Sequence, residues 1–378
     1  MPSCDCPPDT GTTAGWYPLK LEPSFRERVW GREDISLLYP SRPAQPGRIG
    51  EVWLTADDNR IANGRWAGQT LGDLCRTHGS EVMGPATPSV ALPGHAIFPL
   101  LVKFVFTSDK LSVQVHPADP YAAEKEGCAG KTEMWHVLTA EPGACLALGF
   151  RAEADCQEPD VKALRAAAEN GAIEDMLCWM EVRAGETFFV PAGTVHAIGA
   201  GLTVCEIQQN SDITYRLFDY NRSGTDGLPR PLHLEKALDV LQWRTAGGRT
   251  SPLGYPARPD NLTLLAACPY FATEKMALKN PATYKTDGRF EIWIGLEGEA
   301  DFEVAGEHAS CRKGEVVLVP AIAQTFSVHP VSQCTFLRSY QPQLESGVMA
   351  DLRLEGFTER QLRGVCFPEQ RLTPEGAP

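Results

Sequence analysis

The sequence predicts a mainly β protein built from two related antiparallel barrels or jelly rolls, with a small helical insertion. Short segments rich in β-branched and aromatic residues recur over residues 97–149 and again over 263–340. The 34 glycines and 30 prolines supply the frequent turns that many short strands need. Residues 183–192 (RAGETFFVPA) and 312–321 (RKGEVVLVPA) share Arg, Gly, Glu, Val, Pro and Ala at matching positions, which indicates an internal repeat.

A weaker echo supports the repeat, because EMWHVL at 133–138 resembles EIWIGL at 291–296. In the repeat alignment Thr325 stands where the first copy has His196. The first barrel therefore carries a residue that can bind a metal, and we expect the second to be structural, covering the first barrel or an edge strand. The domain organisation that follows is a flexible tail at 1–16, a catalytic domain at 17–244, a linker at 245–262 and a second, degenerate domain at 263–378.

Helical periodicity interrupts the strand pattern in three places. A turn and a short helix are expected in IANGRWAGQTLGDLCRTHG, and another helix in HLEKALDVLQW. The helical insertion is expected at 157–180, where Val161, Leu164 and Ala168 recur at helical spacing after an N-terminal signal at 158–160. Strands are expected to resume afterwards, at Thr187–Val190, Thr203–Gln208 and Thr214–Tyr220.

Composition excludes several classes of function. The chain has 378 residues, of which 48 are acidic and 35 basic, and its net charge of −13 argues against binding nucleic acid through phosphates. No apolar run approaches the ~20 residues that span a bilayer, and the N-terminus lacks the basic and apolar regions of a signal peptide. The 12 cysteines are scattered, and only Cys4 and Cys6 lie close together. We expect a cytoplasmic protein with reduced thiols and no specific role for these two cysteines.

A polar strand face marks the candidate site. In LSVQVHP, alternation places Ser112, Gln114 and His116 on one face, opposite an apolar face. If the polar face points into the barrel, its burial is costly unless a metal or ligand satisfies it. Together with Glu133 and His196 it would offer nitrogen and oxygen donors that suit zinc or another divalent ion. Spacing alone leaves open solvated polar groups at a barrel mouth.

Basic residues near this face would supply a local positive field that the acidic chain otherwise lacks. Arg216 lies between Tyr215 and Leu217 on a predicted strand, where an arginine is usually paired or directed at an anion. A surface ion pair is the alternative for Arg216. Lys131 is the second candidate, with Lys103 or Lys110 as further possibilities.

Five motifs, in order, resemble those of type I mannose-6-phosphate isomerases, in their shorter bacterial branch. They are FPLLVKF, LSVQVHP, GKTEMW, FVPAGTVHAIGAG and EIQQNSDITYRLFDYNR, and FRERVWG, IGEVWLTADD and NGRWAGQTL are similar to the family's N-terminal motifs. The resemblance covers about residues 22–235 and implies two cupin jelly-roll barrels, the second degenerate. Phe106, Thr107 and Asn210 depart from the family pattern without removing a ligand.

The resemblance implies an aldose–ketose isomerase that interconverts mannose 6-phosphate and fructose 6-phosphate through a metal-stabilised cis-enediol. It implies one Zn²⁺ per chain, bound by His116, Glu133 and His196, with Gln114 as a fourth ligand in some members. It makes Arg216 catalytic and places Lys131, Ser112 and Glu206 in the substrate pocket. The base that reaches both carbons is open between Glu206 and Lys131.

Three alternatives remain at this level. Two histidines and one carboxylate also describe iron oxygenases, which zinc content without oxygen consumption would exclude. A non-catalytic, sugar-binding protein of two barrels would not need Lys131 and Arg216 beside a metal. An isomerase of the same type acting on another phosphosugar has the same motifs, because pocket shape selects the sugar.

Overall fold

The computed structural model describes residues 15–41, 47–85, 97–151, 161–244, 247–255 and 260–368. Cys4, Cys6 and the predicted helix signal at 158–160 lie outside these residues. None of the nine cysteines within them forms a disulfide. No helix in the described ranges is long and apolar enough to cross a membrane.

Strands dominate the first half of the chain. They are β1 (Leu19–Leu21), β2 (Ser24–Arg32), β3 (Ile49–Trp53), β4 (Leu100–Phe106), β5 (Val113–Val115), β6 (Glu133–Ala140), β7 (Cys145–Phe150), β8 (Leu177–Glu181), β9 (Thr187–Val190), β10 (His196–Ile198), β11 (Leu202–Gln209), β12 (Tyr215–Phe218) and β13 (Gly248–Arg249).

The second half continues in the same way. Its strands are β14 (Leu253–Gly254), β15 (Thr263–Ala267), β16 (Ala272–Leu278), β17 (Ala282–Lys285), β18 (Glu291–Glu297), β19 (Glu299–Val304), β20 (Glu307–Arg312), β21 (Val316–Val319), β22 (Thr325–Pro330) and β23 (Cys334–Tyr340). The expected β region from 263 to 340 is therefore confirmed.

The helices are short. They are α1 (Leu71–Met83), α2 (Asp119–Lys125), α3 (Val161–Asn170), α4 (Ile173–Met176), α5 (Leu234–Val240), α6 (Ala350–Leu354) and α7 (Glu359–Leu362), with a π-helical segment at Leu344–Met349. Thr70 caps α1 by accepting a hydrogen bond from the Asp73 amide. Residues 177–180, which the sequence includes in the helical insertion, lie instead in β8, because they pair with β7.

Four antiparallel sheets form two matching pairs, which is the mainly β, two-jelly-roll fold that the sequence predicts. Sheet I has the order β13-β9-β6-β11-β4-β3-β2, and sheet III has the corresponding order β1-β21-β18-β23-β16-β15-β14. Sheet II (β12-β5-β10-β7-β8) corresponds to sheet IV (β17-β22-β19-β20) in the same way. The two halves exchange edge strands: β1 pairs with β21 in the second half, and β13, which lies in the predicted linker leading to the second half, pairs with β9 in the first.

The register of the strands confirms the internal repeat. Glu133 pairs with Val190 in the first half, and Glu291 pairs with Val319 at the same place in the second. The sequence alignment of His196 with Thr325 does not hold in the structure, however, because the two side chains do not lie on equivalent faces of their strands. Thr325 is exposed, whereas the next residue, Phe326, is buried in the core, so the strand after the VPA turn starts one residue out of phase.

Alternation in each strand divides the core into layers. Leu100, Val102 and Phe104 of β4 pack in a large cluster that also contains Ile292 and Leu318, so sheets I and III are joined face to face. The opposite face of β4 turns Val105 into the first barrel. Helices α3 and α5 cover the outer face of sheet II.

Candidate active site

Three predicted site residues lie side by side on adjacent strands of sheet II. Arg216 of β12 pairs with Gln114 of β5, which pairs with His196 of β10. The neighbouring Val113 and Val115 pack on the opposite face, in the cluster that includes α3 and α5. The polar face of LSVQVHP therefore points into the barrel, as its sequence suggests, and it does so because the helices cover the apolar face.

Backbone contacts fix the position of His116 at the end of β5. The amide of Gly193, in the turn between β9 and β10, donates a hydrogen bond of 2.8 Å to the His116 carbonyl. Gly193 has φ of +84° and a Cβ there would lie 2.8 Å from Cγ of Gln242, so the turn requires glycine. The Lys131 amide donates to the Pro117 carbonyl at 3.0 Å, which holds Lys131 beside His116.

His116, Glu133 and His196 form a buried cluster whose candidate ligand atoms all lie within 4.8 Å of one another. His196 Nε2 is 3.5 Å from Glu133 Oε1, and His116 Nε2 is 3.8 Å from Glu133 Oε2. Donors about 2.1 Å from a tetrahedral metal lie roughly 3.4 Å apart, so these separations fit one divalent ion. His196 Nδ1 donates to the Thr194 carbonyl at 2.9 Å, which leaves its Nε2 lone pair free to bind.

Gln114 adjoins this cluster through its carboxamide. Its Nε2 lies 3.2 Å from His196 Nε2, and its Oε1 accepts a hydrogen bond of 3.1 Å from the Ser112 hydroxyl. An amide nitrogen is not a metal ligand, so a role as fourth ligand requires the opposite amide orientation. The Ser112 hydroxyl is compatible with either orientation, because it can donate to the amide oxygen or accept from the amide nitrogen.

Buried charges of alternating sign extend from the cluster across sheet I. Lys131 Nζ lies 2.9 Å from His116 Nε2 and 2.7 Å from Glu133 Oε2, and 3.3 Å from Glu206 Oε1. Glu206 is also 3.6 Å from Lys103, which is 3.5 Å from Glu51. Each charge thus has opposite charges next to it, which offsets part of the cost of burial.

Burial and neighbouring charges set the protonation of these groups. Burial, reinforced by Lys131, lowers the pKa of His116 well below its usual value, and burial lowers the pKa of His196 to about 4. Both imidazoles are therefore neutral and able to bind metal near pH 7. Burial raises the pKa of Glu206 despite Lys103. Burial opposes the charged form of Lys103, but the carboxylates of Glu206 and Glu51 outweigh it and raise its pKa.

A cavity of about 120 Å³ opens beside this cluster. Its lining includes Ser112, Gln114, Lys131, Glu133, Glu206 and Arg216. Among the described residues no carboxylate lies within ion-pair distance of Arg216. The Nε atom of Arg216 is buried without a hydrogen-bond partner. Burial lowers its pKa, but an arginine keeps its charge. An unpaired cation at a cavity is suited to receive an anionic group.

Sequence reasoning missed part of this lining. Arg28, Glu51 and Arg230 also face the cavity, and Lys103 is confirmed there. Lys110 is not at the site, because it pairs with Glu174 on the outside. A lysine inside the apolar run FPLLVKFVF was the one available signal for Lys103, while Arg28 and Glu51 come from strands whose contact with β4 depends on tertiary structure.

Comparisons with known proteins agree with this geometry. Residues 260–341 match the family model described as the cupin domain of mannose-6-phosphate isomerase. A mannose-6-phosphate isomerase of Bacillus subtilis is 33% identical over 323 residues, covering 84% of this chain and 97% of that protein. One from Streptococcus mutans is 33% identical over 311 residues, covering 80% and 92%. The crystal structure of a Bacillus subtilis mannose 6-phosphate isomerase superposes with a TM-score of 0.75 at 28% identity, covering 86% of this chain and 99% of that one.

Proposed function

Because the chain belongs to the mannose-6-phosphate isomerase family, we propose that the polar end of its first barrel is the active site of this isomerisation. The enzyme interconverts mannose 6-phosphate and fructose 6-phosphate. The observation that carries the location is the buried His116–Glu133–His196 cluster beside a cavity with an unpaired arginine.

His116, Glu133 and His196 would hold one divalent metal, with Gln114 beside them. Two neutral imidazoles and a carboxylate suit zinc, and the donor spacing fits a zinc ion with a position open to substrate. When bound, the metal supplies Lewis-acid polarisation of the sugar oxygens at C1 and C2. The remaining chemistry is performed by side chains of the chain itself.

Arg216 is the group we assign to anionic charge. Its guanidinium faces the cavity without a carboxylate partner among the described residues, so binding an anion there breaks no existing ion pair. Its fixed fork of donors suits a phosphate or an enediolate oxygen. Arg28 and Arg230 lie on the same lining and extend the positive field.

Glu206 and Lys131 are positioned to move the protons. In the forward direction Glu206 takes the proton from C2, the C–H electrons form the double bond of a cis-enediol, and Lys131 donates a proton to the O1 oxygen. Glu206 then returns its proton to C1, while Lys131 takes the O2 proton as the new carbonyl forms. The 3.3 Å separation of the two groups supports this assignment, and so does the raised pKa of Glu206, since a stronger base takes up the C2 proton more readily.

The decisive experiment follows turnover of mannose 6-phosphate by the purified protein before chelation, after chelation and after return of zinc. We expect turnover to be lost and then restored. His116→Ala should lose both metal and turnover, whereas His308→Ala, at an exposed ion pair of the second half, should keep both. Absence of turnover in the zinc-loaded protein would refute the assignment, and oxygen consumption by an iron-loaded protein would indicate an oxygenase.

A further inference from the structure

The second barrel contains a cavity of about 340 Å³ at the end that corresponds to the active site of the first. We propose that this cavity is a second ligand site, which binds a small polyhydroxylated molecule of the monosaccharide class. Its lining includes Glu274, Tyr284, Arg338 and Tyr340 from the sheets, and Gln343 and Asp351 from the helical segments that follow.

Strand register shows that the two barrels place charges at equivalent positions. In sheet I, Glu206 of β11 lies opposite Lys103 of β4. In sheet III, Arg338 of β23 lies opposite Glu274 of β16, on the two strands that correspond to these. The buried pair is therefore present in both barrels, with the signs of its charges exchanged. A third acid corresponds as well, because Glu291 occupies the position of Glu133.

The charges in the second barrel are deeply buried. Arg338 donates to Glu274 Oε2 from Nε at 2.8 Å and from Nη2 at 2.5 Å, and its Nη1 lies 3.8 Å from Glu291. Glu291 is fully buried, and its Oε1 has no hydrogen-bond partner among the described residues. Of these three groups Glu274 and Arg338 line the cavity, and a barrel that served only as a scaffold would often be as stable or more stable with apolar residues in their place. Retained charges at the base of a cavity point to a ligand.

The site is not a second metal centre. Pairing of β17 with β22 sets Tyr284 opposite Phe326, where β5 and β10 set Gln114 opposite His196. The positions equivalent to the candidate ligand His196 and to its neighbour Gln114 thus carry aromatic rings, which pack against Trp293 at 5.2 and 5.8 Å between ring centroids. An organic ligand remains as the occupant that these residues can recognise.

The chemistry of the lining matches a sugar. Tyr255, Tyr284 and Tyr340 line the cavity, and the partly exposed ring of Tyr284 offers an apolar face for the C–H face of a pyranose, whose weakly positive hydrogens suit the negative face of a ring. Carboxylates accept, and guanidinium groups donate, the paired hydrogen bonds that neighbouring hydroxyls make. The volume is within the ~300–1,000 Å³ typical of small-molecule pockets.

Methyl-resolved NMR of the full zinc-loaded chain separates the two sites. Val348 lies at the second cavity, whereas Leu111 and Ile198 lie at the first. The probes are mannose, mannose 6-phosphate and inorganic phosphate. We expect saturable shifts of the Val348 methyls with mannose or mannose 6-phosphate, with a dissociation constant of about 1 mM or tighter. Shifts with mannose identify the neutral sugar as ligand, and shifts with the phosphosugar alone identify its phosphorylated form.

Two variants test the residues. Glu274→Leu/Arg338→Met replaces the buried pair with apolar groups of similar size, and the folded variant should lose the Val348 shifts. Glu299→Ala/Arg312→Ala removes an exposed pair of 2.9 Å in the same half and should leave them unchanged. Because the readout does not use turnover, its failure is distinct from failure of the proposed reaction.

The proposal is overturned if no probe shifts Val348 at concentrations of about 10 mM, roughly tenfold above the expected dissociation constant. It is also overturned if inorganic phosphate alone produces the shifts, because the cavity would then bind an anion and not hydroxyl groups. Unchanged sugar binding by the folded Glu274→Leu/Arg338→Met variant would likewise contradict it.

Discussion

At the scale of single residues, the ammonium group of Lys131 shares its neighbours with the proposed metal. It lies within 3 Å of both His116 and Glu133, so a divalent ion bound to the same donors is repelled by it. We expect Lys131→Met to bind zinc at least about tenfold more tightly, while its turnover falls by about 10²-fold or more because a proton donor is lost. Competition with a fluorescent chelator measures the affinity. Lys110→Met, at a pair outside the site, is the control.

Arg216 is predicted to act through geometry as well as charge. Arg216→Lys keeps the positive charge but removes the fork of donors, and we expect kcat/KM to fall about 10²-fold. Arg165→Lys, which changes an exposed ion pair with Glu235, should have no effect. Steady-state kinetics with mannose 6-phosphate measure kcat/KM of the two variants and the wild type. Equal activity of Arg216→Lys and the wild type would mean that charge alone suffices.

His136 makes stability depend on pH without belonging to the site. Burial, with a smaller contribution from Lys275, lowers its pKa to about 3, and its Nδ1 lies 2.9 Å from the Thr187 hydroxyl. The pKa is depressed in the folded state, so the stabilisation is complete above the unfolded value of about 6.5 and is lost as pH falls towards 3. Between pH 7 and 5 this residue should cost about 2 kcal/mol of the free energy of unfolding.

Urea denaturation of the wild type and of His136→Gln at these two pH values isolates this residue from the other histidines. The variant should lose about 2 kcal/mol less than the wild type over the interval. Identical losses in the two proteins would show that His136 is charged or exposed in the folded state.

At the scale of elements, the turn between β9 and β10 links the fold to the site. Gly193→Ala meets two obstacles, a φ of +84° and an atom 2.8 Å from the new Cβ, whereas Gly185→Ala has a φ of +89° and open space. We expect Gly193→Ala to be less stable than Gly185→Ala by about 1–2 kcal/mol. Only Gly193→Ala should weaken zinc binding, because a shift of this turn would move the residue 193 amide away from the His116 carbonyl that it holds. Thermal unfolding and zinc titration of both variants test this.

Elements show what could be predicted from sequence and what could not. The strands β9, β11 and β21 are apparent because alternation and turn residues are local signals, and the repeat identifies their common place. The sequence does not reveal that the strand at Thr325 is shifted by one residue relative to its counterpart at His196, because Phe326 faces inward only once β22 has paired with β17. The positions of Arg28 and Glu51 depend on tertiary contacts in the same way, whereas the candidate ligands His116, Glu133 and His196 stand in motifs that the sequence itself shows.

At the scale of the whole molecule, the face-to-face cluster between sheets I and III couples the two halves. Ile292 is fully buried in that cluster, on the side of the second half. We expect Ile292→Ala to cost about 2–5 kcal/mol and to lower the temperatures of fluorescence change and of activity loss together. Val304→Ala, in the separate interior of the second barrel, is the matched control. Loss of activity at the wild-type temperature in Ile292→Ala, or separate transitions of the two halves in the wild type, would contradict the coupling.

The exchange of edge strands also bears on the order in which the chain can fold during synthesis. Lys20, in β1, pairs with Glu315, which is 295 positions later. At roughly 5–20 residues per second, the ribosome needs about 15–60 seconds to deliver the partner of β1. Throughout that interval the first barrel can close, and β1 can bond to residues 61–62 on one side, but its other side lacks the partner strand β21. The nascent protein therefore carries an unpaired β edge near its beginning until its last quarter emerges, and this edge is where a chaperone that binds extended chain would be expected to act.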